Sequence, residues 1–186
     1  MTHDNTKEPT TLTSKVDVLT AVGHRRSIRR YTSEPINDAA VNTILQAGLS
    51  APTAMNRRPF HFVVVKGKNA LARLAVGKKY AWMLSKAPMA IAICGDTTVE
   101  DRPEHLYADC FAATQNMLLA IHGLGLGGVW IGVSQGSKWY ELLQEMLNLP
   151  EQIKPTAVIS LGHPNEEKPL PTIWEPEKIH YETWES

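Results

Sequence analysis

The sequence is poor in cysteine and has no excess of charge of either sign. Its 186 residues include two cysteines, Cys94 and Cys110, with no CxxC pair and no histidines at zinc spacing. Both lie in apolar stretches, which favours core thiols in a reducing compartment, so we expect a cytoplasmic protein. Lys plus Arg and Asp plus Glu both number 19. This balance argues against general binding to nucleic acid or to an anionic membrane.

Long hydrophobic runs are also absent. The longest, near residues 87–94 and 129–133, are far too short to cross a bilayer. The first residues are polar and contain no apolar centre of the kind found in secretory signals. We therefore expect residues 1–13 to form a flexible arm and residues 14–186 to form a single domain, of which 164–186 is a Pro- and Glu-rich extension.

Hydrophobic periodicity predicts an α+β protein with one central sheet covered by helices. Ser14 and Asp17 resemble a capping box at the start of the first helix. The predicted helices lie near residues 14–22, 37–51, 69–85 (with a weak middle), 104–122 and 138–147, and the predicted strands at 60–66, 87–94, 129–133 and 156–161.

Four arginines within six residues stand out against the balanced charge. Arg25, Arg26, Arg29 and Arg30 surround Ser27. Guanidinium groups form bidentate, charge-assisted hydrogen bonds with phosphate or carboxylate oxygens. By itself the cluster is compatible with a pocket for a phosphorylated ligand and equally with a solvated basic turn.

Two familiar kinds of site are poorly supported. Gly123, Gly125 and Gly128 form a GxGxxG pattern, but it follows a predicted helix and opens a strand, the reverse of a dinucleotide-binding turn. His105 and Asp109 lie four residues apart on one helix, yet without a third strong ligand they favour a solvated helix start over a metal site. We expect no metal centre.

The loop between Pro52 and Pro59 carries hydrogen-bonding side chains directly before a strand. Thr53 and Asn56 offer hydroxyl and amide groups, and the prolines stiffen the backbone. Such a loop is suited to hold a flat heterocycle by hydrogen bonds. An ordinary polar connection is the alternative.

Taken together, three stretches resemble the nitroreductase family of FMN-dependent oxidoreductases. The first is Arg25-Arg-Ser-Ile-Arg29-Arg-Tyr, the second is Ser50-Ala-Pro-Thr-Ala-Met-Asn56-Arg-Arg-Pro59-Phe60, and the third is residues 123–132 followed by Leu161-Gly-His-Pro164. Their order and spacing cover roughly residues 16 to 184, which is nearly the whole chain.

The resemblance implies a mostly antiparallel sheet, an intertwined homodimer and two FMN sites at the subunit interface. The implied reaction passes hydride from NADH or NADPH through the flavin N5 to an electron-poor small molecule such as a nitroaromatic or a quinone. The extension at 164–186 would pack on the partner subunit. Reductive dehalogenation, flavin-modifying chemistry and flavin binding without turnover remain alternatives.

The resemblance also assigns residues to parts of the cofactor, although it singles out no catalytic side chain. Arg25, Ser27 and Arg29 would hold the phosphate and ribityl chain, with Arg26 alongside. Pro52, Thr53, Ala54 and Asn56 of the partner subunit's loop would line the ring system. Val129, Trp130, Ile131 and Gly132 would lie near the isoalloxazine, and Gly162, His163 and Lys168 would close the phosphate end.

Two residues depart from the family pattern. Arg58 stands where the family usually has Gln at the flavin, and Phe60 where it has Trp. An arginine near the ring would stabilise negative charge on the reduced flavin and raise its redox potential. The preferred nicotinamide and the physiological acceptor have no signature in the sequence.

Overall fold

Four antiparallel strands form the centre of the fold. The computed structural model describes residues 14, 16–170 and 172–184, so the predicted arm at 1–13 lies outside the described residues. The strands are β1 (Phe60–Val65), β2 (Met89–Asp96), β3 (Gly127–Gly132) and β4 (Ile153–Gly162). They pair in the order β1-β2-β4-β3, and all three pairings are antiparallel. The predicted α+β class with an antiparallel sheet is confirmed.

Helices cover both faces of this sheet. They are α1 (Val18–His24), α2 (Asp38–Leu49), α3 (Lys68–Val76), α4 (Pro103–Gly123) and α5 (Lys138–Met146), with short 3-10 segments at Ala54–Asn56, Lys79–Ser85 and Pro176–Lys178. Side chains of α2 and α4 share one buried cluster with Ile91 and Ile93 of β2, whereas α3 and α5 share the other with Ala90 and Ala92. The alternation along β2 places this central strand between two helical layers.

Local sequence explains where most elements begin and end. Asn37 caps α2, because its side chain accepts a hydrogen bond from the amide of Ala40 at 2.8 Å. Asp17, and not Ser14, caps α1 in the same way through Thr20. The predicted helix at 69–85 divides at Gly77 into α3 and a 3-10 segment. The division falls in the weak middle of the predicted helix.

No helix within the described residues is long and apolar enough to span a membrane. The 21-residue α4 is the longest of them, and Glu104 and Asp109 interrupt its apolar side chains. Its buried positions, including Cys110, Met117 and Ile121, pack on the sheet.

Candidate functional site

The arginine segment runs as extended backbone along the free edge of β3. Ser27 pairs in parallel with Gly128, and the amide of Ile28 donates to the carbonyl of Gly128 at 3.1 Å. Further along, Tyr31 pairs with Pro164, which follows β4 directly. The four arginines therefore belong to an ordered ribbon on the sheet and not to a solvated turn.

Tyr31 attaches this ribbon to β4. Its ring is buried, and its hydroxyl lies 2.6 Å from the carbonyl oxygen of Ile28 and 3.0 Å from that of Ser160. Burial raises the pKa of this hydroxyl, which keeps it protonated as a donor. Gly162 of β4 packs directly against Tyr31, because a Cβ added to this glycine would lie 2.9 Å from the Cβ of Tyr31. The glycine thus allows the ribbon to approach β4 closely.

Glu166 fixes the backbone of the arginines from the other side. One of its carboxylate oxygens accepts hydrogen bonds from the amides of Arg29 at 2.6 Å and Arg30 at 3.3 Å. The other oxygen lies 3.3 Å from Nζ of Lys168. Burial acts to raise the pKa of Glu166, but these hydrogen bonds and the charge of Lys168 together hold it below its usual value. No local pattern indicates this role, because 137 residues separate Glu166 from Arg29.

Two guanidinium nitrogens of the ribbon are buried and have no hydrogen-bond partner among the described residues. They are Nε of Arg25 and Nη2 of Arg26. The remaining donors of Arg26 bind the carbonyls of Pro169 at 3.2 Å and Arg25 at 2.5 Å. Buried polar groups normally have partners, so two unpartnered cationic donors side by side fit an anionic ligand.

A cavity of about 310 Å³ opens where the ribbon meets the outer edge of β3. Its lining comprises Arg29, Lys78, Tyr80, Trp82, Met83, Val129, Trp130, Ile131 and Gly132. Five of these residues were predicted site residues, and the structure brings them together. The other four lie in the 78–83 segment and were missed, because nothing in its sequence connects that segment to the recognised motifs.

Lys78 supplies a second cation to this cavity. Its Nζ donates to the carbonyl of Gly132 at 2.5 Å and lies 4.8 Å from the centroid of the Trp139 ring. Burial lowers the pKa of this amine. Gly132 itself faces open space, since an added Cβ would meet no atom within 4 Å.

The proline-bracketed loop is held in an unusual backbone conformation. Met55, Asn56 and Arg58 have positive φ values of 54°, 55° and 58°. Such left-handed residues persist only where the surroundings hold them. The amide of Ala54 donates to the buried carboxylate of Asp109 at 3.0 Å, and the amide of Arg58 donates to Oγ1 of Thr53 at 3.1 Å.

A second carboxylate ties this loop to the start of α4. The side chain of Glu100 is fully buried and lies 2.8 Å from Nε of Arg102 and 3.3 Å from Nη1 of Arg57. The hydrogen bond from Arg102 lowers the pKa of Glu100 to about 2. Asp109 and His105, weighed as metal ligands, thus lie in a structural network. The described residues contain no group of three or more His, Cys, Asp or Glu that could hold a metal ion.

The loop and the arginine ribbon lie at opposite edges of the sheet. The loop leads into β1 and the ribbon lies on β3, and three strand spacings, about 14 Å, separate these two edges. The predicted loop residues Pro52, Thr53, Ala54, Asn56 and Arg58 line neither the 310 Å³ cavity nor the larger cavity described next. Arg58 instead donates to the carbonyl of Leu49 at 2.7 Å and lies over the ring of Phe60.

A larger cavity of about 520 Å³ lies beside the same ribbon, next to Arg26 and Ile28. Its lining comprises Val16, Thr20, His24, Arg26, Ile28, His122, Gly125, Leu126, Pro164, Glu166, Lys168 and Leu170. Of the three residues predicted to close the phosphate end, only Lys168 reaches it. His163 has its Nε2 3.7 Å from Glu34, and Gly162 packs beneath Tyr31.

Comparison with known proteins gives a consistent result. The model of the nitroreductase family matches residues 22–89 and 74–163. A protein of Methanothermobacter thermautotrophicus assigned as an NADH dehydrogenase/NAD(P)H nitroreductase is 39% identical over 171 residues, covering 92% of this chain and 90% of its own length. A crystal structure from Parabacteroides distasonis with the same assignment has a TM-score of 0.86 and 34% identity, covering 90% of this chain and 98% of its own. A nitroreductase of Desulfovibrio desulfuricans in complex with FMN has a TM-score of 0.78 and 31% identity, covering 92% of this chain and 100% of its own.

Proposed function

The chain belongs to the nitroreductase family, and we propose on this basis that it is an FMN-dependent oxidoreductase. It would use NADH or NADPH to reduce electron-poor small molecules such as nitroaromatics or quinones. The observation that carries the proposal is the pair of unpartnered, buried guanidinium nitrogens on Arg25 and Arg26. A phosphate group supplies the acceptors that these donors lack.

The residues present fit the parts of FMN in order along the ribbon. Arg25 and Arg26 offer donors to the phosphate, and Ser27 offers a hydroxyl to the ribityl chain. Arg29 reaches the 310 Å³ cavity, whose walls include Trp130 of β3 and Trp82. Cavities of this size with aromatic walls and a few charged groups are typical of cofactor sites.

The protein's contribution to the reaction is positioning and electrostatics. When bound, FMN supplies an N5 atom that accepts and donates hydride. Arg29 and Lys78 bring two positive charges to the cavity, and these stabilise negative charge that develops there during reduction. The backbone of β3 forms a rigid wall, so a flat ligand is held in one orientation. We assign no side chain as a general acid or base.

The proposed site requires two copies of the chain. Since the loop residues Thr53, Ala54 and Asn56 lie at the far edge of their own sheet, they would line the ring of the FMN held by a partner subunit. Exposed apolar side chains on one chain support this arrangement: those of Val18, Leu19 and Val22 in α1 and of Trp174 and Trp184 in the 164–186 extension are 57–81% exposed.

Replacing the ribbon arginines tests the proposal. We expect Arg25→Ala and Arg29→Ala each to weaken FMN binding by about tenfold or more, because each removes charge-assisted hydrogen bonds worth roughly 1.5–3 kcal/mol. Flavin fluorescence during titration of the protein stripped of cofactor measures this. Arg30→Ala is the matched control, since Arg30 is exposed and lines neither cavity. Unchanged FMN affinity in an Arg25→Ala, Arg26→Ala double variant would refute the phosphate assignment.

A further inference from the structure

The 520 Å³ cavity contains two imidazole side chains to which no role has been given. His122 lies in the last turn of α4 and His24 in the last turn of α1, and both line the cavity together with Arg26 and Lys168. The apolar side chains of Ile28 and Leu126 form part of the wall. The cavity therefore combines several groups that carry positive charge when protonated, with one carboxylate, Glu166.

The electrostatic surroundings of His122 disfavour its protonation in the absence of an anion. Burial lowers its pKa first, and the nearby groups His24, Arg25 and Arg26 lower it further. Lys168 adds a charge of the same sign at the cavity wall, and the carboxylate of Glu166 is already bound to Lys168 and to the amide of Arg29. The carbonyl groups at the end of α4 favour a cation there. His122 is thus poised to gain a proton when a negative charge enters.

Of the two unpartnered guanidinium nitrogens on Arg25 and Arg26, that of Arg26 indicates where the negative charge belongs, because Arg26 lines the cavity. Both guanidinium groups act on His122, and both have a buried N–H that lacks an acceptor. A phosphate dianion at this position would accept these hydrogen bonds and offset the positive charge around His122. Protonated imidazole then becomes an additional donor to the same oxygens.

We propose that His122, with His24 beside it, is a proton-dependent ligand for the phosphate group of the flavin. Binding of FMN then includes uptake of a proton by the protein, and the preference for FMN over riboflavin, which lacks the phosphate, increases as the pH falls towards neutrality. This inference rests on the proposed function. It adds to that function a residue that discriminates phosphorylated from unphosphorylated flavin.

Two titrations of the full-length protein stripped of cofactor test the inference. Dissociation constants for FMN and riboflavin are measured by flavin fluorescence at pH 6.5 and pH 8.5. We expect the FMN-to-riboflavin affinity ratio to be about three- to fivefold higher at the lower pH, because binding raises by about one unit a pKa that lies below 6.5 in the free protein. Calorimetry at pH 7 in buffers of different ionisation enthalpy should show uptake of a fraction of a proton with FMN and none with riboflavin.

Variants then assign the effect to one side chain. His122→Asn and His122→Gln should remove both the pH dependence of the ratio and most of the proton uptake. His61→Asn is the matched control, because His61 lies on the exposed side of β1 and lines neither cavity. The phosphate group titrates near pH 6 by itself, but that contribution is common to all variants and cancels in the comparison.

The possible outcomes separate the inference from the function on which it rests. FMN binding with a pH-independent ratio and no proton uptake by the unaltered protein would overturn the inference and leave the proposed function intact. An effect retained in both His122 variants would also overturn it. If neither flavin binds at any pH, the proposed function and the inference fail together.

Discussion

Single residues determine the size and charge of the 310 Å³ cavity beside β3. Gly132 is the clearest case, because it ends β3 at the cavity wall and has open space where a side chain would project. Its φ lies outside the left-handed region, so a larger residue fits the backbone. The absence of a side chain at this position therefore leaves room for a ligand and is not required by the fold.

Gly132→Val should separate ligand binding from folding. The valine side chain would occupy the cavity and reduce FMN binding below detection, whereas the midpoint of thermal unfolding without flavin should change by no more than about 4 °C, which corresponds to roughly 1 kcal/mol or less. Gly67→Val is the control, since Gly67 precedes α3 and its nearest contact is Ala70 at 3.9 Å. Normal FMN affinity in Gly132→Val would place the ring elsewhere.

At the scale of elements, the left-handed loop before β1 depends on buried carboxylates. Glu100 binds Arg57 of the loop and Arg102 at the start of α4, and Asp109 of α4 binds the amide of Ala54. These contacts hold the loop to the helix that also packs on the sheet. They explain how three residues with positive φ persist within a stretch of four.

Acid unfolding tests the contribution of Glu100. The pKa of Glu100 is about 2 in the folded protein, whereas an ordinary glutamate, as in the unfolded chain, has a pKa of 4.5. The unfolded chain therefore takes up the proton first as the pH falls. The stabilisation by Glu100 is therefore fully present above pH 4.5 and is lost between pH 4.5 and pH 2. Glu100→Gln should lower the urea midpoint at pH 7 and flatten its decline over this interval. The exposed Glu151→Gln is the control, and an unaltered acid profile in Glu100→Gln would contradict the assignment.

Local patterns were sufficient to predict most elements but not all of the site. The helical period of α4 and the apolar run of β2 depend on neighbouring residues, and both were found from the sequence. Glu166 and Lys78 were missed because their roles depend on contacts across 137 and 54 residues of chain with Arg29 and Gly132. Arg25 and Arg29 were predicted as site residues because their chemistry is concentrated in one short stretch.

At the scale of the whole molecule, the proposed site shares each FMN between two chains. The 310 Å³ cavity lies beside β3, and the proline-bracketed loop lies at the opposite edge of the sheet. In the proposed site, each chain carries both halves but does not bring its own two halves together. A dimer in which each loop reaches the partner's cavity would use both halves twice.

Mixing two inactive variants tests this sharing. Gly132→Val blocks the cavity of its own chain, and Thr53→Trp alters the loop offered to the partner. Homodimers of either variant should bind no FMN, whereas unfolding and refolding the mixture should restore binding to about one quarter of all sites, if pairing is random and each mixed dimer has one intact cavity with one intact loop. No recovery in mixtures shown by native mass spectrometry to contain mixed dimers would contradict the shared site.

The most direct test of the central claim is an anaerobic titration of the FMN-loaded protein with NADH and then with NADPH, followed by the visible absorbance of the flavin. We predict that at least one nicotinamide bleaches the absorbance to completion, and that adding a quinone or a nitroaromatic compound without air restores it. Protein that binds FMN but keeps its absorbance with both nicotinamides would contradict the claim that this chain is an NAD(P)H-dependent oxidoreductase.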